Sequence, residues 1–157
     1  MPVVSSSAVV PVLETAVDRV LDGFTRSHGH ARGEQRVLRC AAPCLLASVG
    51  MRGGVAGVMC VAAPRDLCAE LVAERFGEAE AATHGEALAE SLLGEIASIA
   101  AGSVATSLEP VEGTWLTPPA VIESTSHEWD VMSEARTATV FNVYGRQMLV
   151  AAAVQRR

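Results

Sequence analysis

The sequence predicts an α+β domain, one mostly antiparallel sheet with two long helices and a shorter helix packed on it. Three observations lead there. Apolar residues recur at helical spacing over 12–24, 65–76 and 85–107. Strand-like runs lie on either side of the second and third of these segments, at 35–63 and 114–154, and strands that neighbour in sequence pair antiparallel. The 157 residues suit one domain, and with half of them hydrophobic but only 4% aromatic the core must be built from Ala, Val, Leu and Ile.

Taken in order, residues 1–8 with Ser5-Ser6-Ser7 are expected as a disordered start, and 9–157 as a single domain. Val12, Leu13, Ala16, Val17, Val20, Leu21 and Phe24 follow the i, i+3, i+4 rhythm of an amphipathic helix, which the polar stretch Ser27 to Gly33 ends. Residues 35–50, interrupted by Pro43, read as two short strands, and Gly50-Met51-Arg52-Gly53-Gly54 as a turn. Val55 to Ala63 is a strand, apolar on both faces. Pro64 and Asp66 open a second helix, since proline is tolerated in a first turn and an acid suits the positive helix end. Gly77 stops it after Phe76, and Glu78 to His84 is a linker. A long third helix runs from about Gly85 to Ser107. Thr114 to Leu116, Thr137 to Val143 and Gln147 to Val154 complete the strands, with Tyr144-Gly145-Arg146 as the hairpin turn between the last two.

The net charge of −6 argues against nucleic acid and against anionic membrane, both of which need clustered Lys and Arg. Cys40, Cys44, Cys60 and Cys68 complete no usual zinc pattern, and reduced thiols packed as small hydrophobes are expected. The first residues lack the basic and apolar segments of a secretory signal, and no uninterrupted apolar run reaches the 18 or so residues of a membrane span. A cytoplasmic location is expected. His28-Gly29-His30 has no acid or thiol at ligand spacing and reads as a polar loop.

The third helix carries the chemistry. At about 100° per residue, Leu88, Leu92, Ile96 and Ile99 fall on one stripe, read as the core face. Ser91, Glu95, Ser98 and Gly102 fall within an arc of about 60° beside it. Gly94, Ala87, Ala101 and Ala105 make a small-residue face that lets another backbone come close. By pattern alone the polar arc is a solvated helix face.

The spacing Ser91-x-x-x-Glu95-x-x-Ser98, followed by Ile99-Ala100-Ala101-Gly102, resembles the signature of the CheC/CheX/FliY family of response-regulator phosphatases. Pro118 and Pro119, in Leu116-Thr117-Pro118-Pro119-Ala120-Val121-Ile122, stand where that family carries a proline some twenty residues on. The first helix, the Gly53-Gly54-Val55-Ala56-Gly57-Val58 approach to a central strand and the helix ending at Phe76-Gly77 also fall where a CheX domain has them, so the likeness covers about 10 to 155. The resemblance implies a protein that binds a phosphorylated CheY-like response regulator and promotes hydrolysis of its aspartyl phosphate. Glu95 would bind a receiver lysine and Ser98 would orient water, supported by Ser91, Gly102, Pro118 and Pro119. It also implies a homodimer, for which the apolar segment Met148 to Val154 could offer an open sheet edge. No cofactor of its own is expected, the Mg²⁺ belonging to the receiver.

One departure opens an alternative. The family has Asn where this chain has Ser98, and positioning dominates phosphoryl transfer. A non-catalytic binding module that keeps only the docking glutamate is therefore the rival reading, and a structural or oligomerisation domain is a third. Asp66-x-x-x-Glu70-x-x-Ala73 echoes half the pattern on the second helix, but Ala73 has nothing to orient water. Trp129 is read as a packing residue or an exposed anchor.

Overall fold

The computed structural model describes residues 3–24, 30–32, 40, 43–108 and 113–156. Among them are four helices, α1 (Ser6–Phe24), α2 (Arg65–Phe76), α3 (Glu78–Leu108) and α4 (Ser126–Ser133). The strands are β1 (His30–Arg32), β2 (Cys44–Gly53), β3 (Val55–Pro64), β4 (Thr114–Leu116), β5 (Ala120–Ser124), β6 (Thr139–Val143) and β7 (Arg146–Arg156). They form one sheet in the order β1-β6-β7-β3-β2-β4, with β5 also on β2, and every pairing is antiparallel. Seven strands thus fill six positions, because β4 and β5 lie end to end along the same flank of β2.

The alternation of side chains along a strand sorts the residues into two layers. Leu45, Ala47, Val49 and Met51 of β2, with Val55, Met59, Val61 and Ala63 of β3, are buried toward α1, α2 and α3. The opposite face carries a smaller cluster, Cys44, Ala62, Val140 and Leu149, capped by Trp129 of α4. Trp129 is 2% exposed, which settles its role as packing.

The helix that holds Trp129 replaces an expected strand-like stretch. Its start signal is in the sequence: the Thr125 hydroxyl accepts from the His127 amide, and Glu128 accepts from the Thr125 amide, a capping box of the Thr-x-x-Glu kind. Residues expected as a disordered start also carry structure. Ser6 to Ala8 open α1, and Val3 bridges to Gln155.

The expected turn at 50–54 is mostly strand. Met51 is buried and pairs with Leu116, so β2 continues to Gly53 before the chain reverses. Gly53 has φ +114°, and a Cβ there would lie 1.7 Å from the Gly113 carbonyl oxygen, so only glycine fits. The single strand Cys44–Gly53 takes the place of the second of two short strands, while 35–39 and 41–42 lie outside the described residues, as do His28 and Gly29 of the expected polar loop. His30 opens β1.

Two expectations are corrected outright. Met148 to Val154 is no open edge, because β7 pairs with β6 on one side and β3 on the other, and the Thr137 hydroxyl and the Val4 amide bond its far end at Ala152 and Val154. A dimer through that segment loses its support. Nor are all four cysteines reduced, for Cys40 and Cys44 form a disulfide and only Cys60 and Cys68 are free.

The expected linker Glu78 to His84 is corrected: α3 already begins at Glu78, and only His84 leaves helical geometry, at φ −126° and ψ 20°, as a break inside the helix. By length and composition α3 could cross a membrane, although its charges interrupt any apolar run. Its buried residues pack against the sheet and its neighbouring helices, as in a core helix.

Candidate functional site

The main part of α3 presents its polar arc away from the sheet. Ser91 and Glu95 are exposed, and Ser98 and Gly102 are half-buried. The opposite side, with Leu92, Leu93, Ile96, Ala97, Ala100 and Val104, is buried. Glu95 is thus a carboxylate presented to solvent, and among the described residues it has no ion-pair partner.

The expected core stripe is rotated. Leu92 and Ile96 are buried, but Leu88 is only half-buried and Ile99 is 44% exposed. The reason lies in the small residues. Ala89, Ala97, Ala100, Ala101 and Ala105 are all buried beside Leu92, Leu93, Ile96 and Val104, so the packed face is centred on these alanines and leucines and lets α3 come close to its neighbours. Ile99 falls on the solvent side, beside Glu95 and Ser98.

The edge strand runs along one flank of this face. A Cβ on Gly94 would stand 3.3 Å from the Cβ and Cγ of Pro119 and 3.4 Å from Val121, so glycine allows the chain around Pro119 to close on the helix one residue before Glu95. This is the close approach expected of the small-residue face, though Ala87 is exposed and takes no part. Eight positions along the helix, the space beside Gly102 faces Leu116, whose Cδ1 would be 3.7 Å from a Cβ. The link between these contacts is fixed to β2: the Thr117 amide donates to the Gly50 carbonyl at 2.9 Å, and the Gly50 amide donates to the Thr117 hydroxyl at 2.8 Å. Prolines suit this interruption, because they cannot donate to a strand ladder. Pro118 and Pro119 are both exposed. The fold therefore brings Ser91, Glu95, Ser98 and Gly102 onto one face and sets Pro119 against it. Pro118 stays in the loop beyond.

Elsewhere several carboxylates are engaged. The Arg146 guanidinium donates from Nε to Asp66 at 3.0 Å and from Nη1 to Glu70, and Glu70 first, with Asp66, raises its pKa above the usual arginine value. The half-motif on α2 is therefore tied to the β6–β7 hairpin. Arg65 donates to Glu86 and to Glu123 at 3.2 Å each, clamping α2 to α3 and β5. A cavity of about 330 Å³ lies between α2, the start of α3 and β2, but none of the candidate residues lines it. Among the described residues no three His, Cys, Asp or Glu side chains are grouped to hold a metal. What this face offers chemically is docking and orientation: one carboxylate for a cation, and two hydroxyls, of Ser91 and Ser98, that can donate and accept.

Comparison with known proteins points the same way. The family model for the chemotaxis phosphatase CheX matches residues 45–142. Among solved structures, the chain is similar to one in the CheX-CheY-BeF3-Mg complex of Borrelia burgdorferi, with 17% identity, a TM-score of 0.69, and 94% of this chain and 98% of that one covered. It is similar to the chemotaxis protein CheX of Vibrio vulnificus, with 14% identity, a TM-score of 0.65 and coverage of 94% and 99%. It is also similar to FliY of Thermotoga maritima, with 14% identity, a TM-score of 0.55 and coverage of 96% and 89%. No curated protein matches the chain.

Proposed function

The chain belongs to the CheX family of chemotaxis phosphatases, and from that premise we propose that it binds the phosphorylated receiver domain of a CheY-like response regulator and speeds loss of the phosphate. The observation that carries the reading is the line Ser91, Glu95, Ser98 and Gly102 on the solvent face of α3. The Borrelia relative, crystallised with CheY, supports the choice of partner.

In this reading Glu95 docks by an ion pair with a receiver lysine. Ser98 enters the receiver's site and holds a water in line with the phosphorus. The water attacks phosphorus and the bond to the aspartyl oxygen breaks, releasing inorganic phosphate and regenerating the carboxylate. The Mg²⁺ that neutralises the phosphoryl oxygens would sit in the receiver. The transition state is loose, so orientation is most of what a docking helix can supply. Ser91 would support the helix face beside Glu95, and Gly102 and Pro119 would keep its flanks low.

A second reading rests on Ser98 itself. Serine is shorter than the family's asparagine by about one bond, ~1.3 Å. A docking module without turnover would result if that reach is decisive. Mixing the chain with phosphorylated CheY-like receivers and following phosphate loss separates the two: accelerated loss supports the phosphatase, while binding without acceleration supports the module.

A further inference from the structure

Ile99 is the large apolar side chain that α3 leaves in solvent. It is 44% exposed, and no other large hydrophobic of that helix is exposed. The fully packed side of the helix is filled by Leu92 and Ile96, and Ile99 is only partly covered. Its helix propensity is also poorer than that of alanine, lysine or glutamate, because a β-branched side chain loses rotamers on a helix. A single exposed isoleucine is ordinary on a protein surface. Its position is what makes this one informative. Ile99 follows Ser98 directly and stands four residues after Glu95, a spacing that puts two side chains next to each other on a helix, with Cβ atoms about 5–6 Å apart.

We propose that Ile99 is a contact residue for the receiver domain, an apolar anchor that makes docking at Glu95 tight enough to be specific. The inference rests on the proposed function and deepens it. A protein partner covers about 800 Å² of each surface, a disc of roughly 16 Å radius. A receiver that reaches both Glu95 and Ser98 must then cover Ile99 as well. An exposed ion pair contributes little in water by itself. An apolar neighbour excludes water from that pair on contact, which strengthens it and adds its own burial. The partner surface that fits has a lysine set beside an apolar patch.

The experiment measures binding of a beryllofluoride-activated CheY-like receiver, and the steady-state rate with the same receiver phosphorylated, for the wild type, Ile99→Ala, Ile99→Met and Glu95→Ala. Ile99→Ala is expected to raise Kd and KM about 10-fold, as an interface contact of moderate weight does, with kcat within about twofold. Ile99→Met should stay near wild type, because volume and apolarity are kept. Thermal melting should be unchanged in both, since the position is a surface one. If Glu95→Ala weakens binding and Ile99→Ala does not, this inference is overturned and the proposed function stands. If the wild type binds no receiver, the proposed function falls and this inference with it. If Ile99→Ala instead changes the oligomeric state in light scattering while receiver binding is unaltered, the occupant is a second copy of this chain and the inference is overturned.

Discussion

Replacing Ser98 by Asn should raise the rate of receiver dephosphorylation. The hydroxyl of Ser98 stops about one bond short of where a carboxamide would end, ~1.3 Å. Misplacing a catalytic group by about 1 Å can cost about 10²-fold in rate. Not all of that is recoverable, since the helix is already set for a shorter residue, so a gain of about 10-fold is expected. The structure has room for the change. Ser98 is half-buried on the solvent side, and Gly102, one turn on, has no side chain to block a longer neighbour. Docking through Glu95 is untouched, so kcat should carry the gain and KM should hold within about twofold. The assay is release of inorganic phosphate from a phosphorylated CheY-like receiver, with Glu95→Ala added to Ser98→Asn as the control that should abolish the gain. If Ser98→Asn leaves phosphate loss at the receiver's own rate while binding persists, the orienting role of position 98 is refuted.

Other consequences follow from the same structure. Glu95→Ala should weaken receiver binding, and the wild-type interaction should weaken as salt rises, because the carboxylate is exposed and its pairing is screened; titration calorimetry at two ionic strengths checks both. Trp129→Ala should cost about 3–5 kcal/mol in denaturant unfolding without touching the α3 face, since Trp129 fills the second cluster on the far side of the sheet. Burial, with Asp66 adding to it, pushes the Cys68 thiol from the usual 9.0 up to about 12. The folded chain then keeps a proton that the unfolded chain releases. Stability is therefore full below pH 9 and falls as pH rises toward 12, by about 1.4 kcal/mol per pH unit for this thiol, measurable by unfolding at several alkaline pH values.

The elements whose periodicity was strong were legible from sequence alone. The heptad-like spacing from Val12 to Phe24, the Pro64 and Gly77 brackets of α2 and the Tyr144-Gly145 hairpin each carry a local physical signal, and the structure has each. The strand at Cys44–Gly53 was harder, because the glycines at 50, 53 and 54 suggest a turn where tertiary pairing with Leu116 extends the strand. The helix at Ser126–Ser133 was legible in principle from Thr125-x-x-Glu128 but hidden among polar residues. At the candidate site, the spacing of Ser91, Glu95, Ser98 and Gly102 gave the shared face. The side of the helix that packs was misread by one step at Ile99, since buried alanines share the packed face with Leu92, Leu93, Ile96 and Val104 and shift it away from Ile99. The approach of Pro119 to Gly94 depends on a contact 25 residues apart in sequence that no local pattern encodes. The Cys40–Cys44 disulfide was missed because apolar surroundings suit a free thiol as well as a bonded one.

The central claim is that the exposed face of α3 acts on a phosphorylated receiver. Its most direct test is the decay of a CheY-like receiver's aspartyl phosphate with and without this chain, in Mg²⁺ and with Glu95→Ala alongside. The account predicts faster decay with the wild type and a return to the receiver's own rate with Glu95→Ala. Decay that is the same with and without the wild-type chain, at concentrations where the two proteins bind, would contradict it.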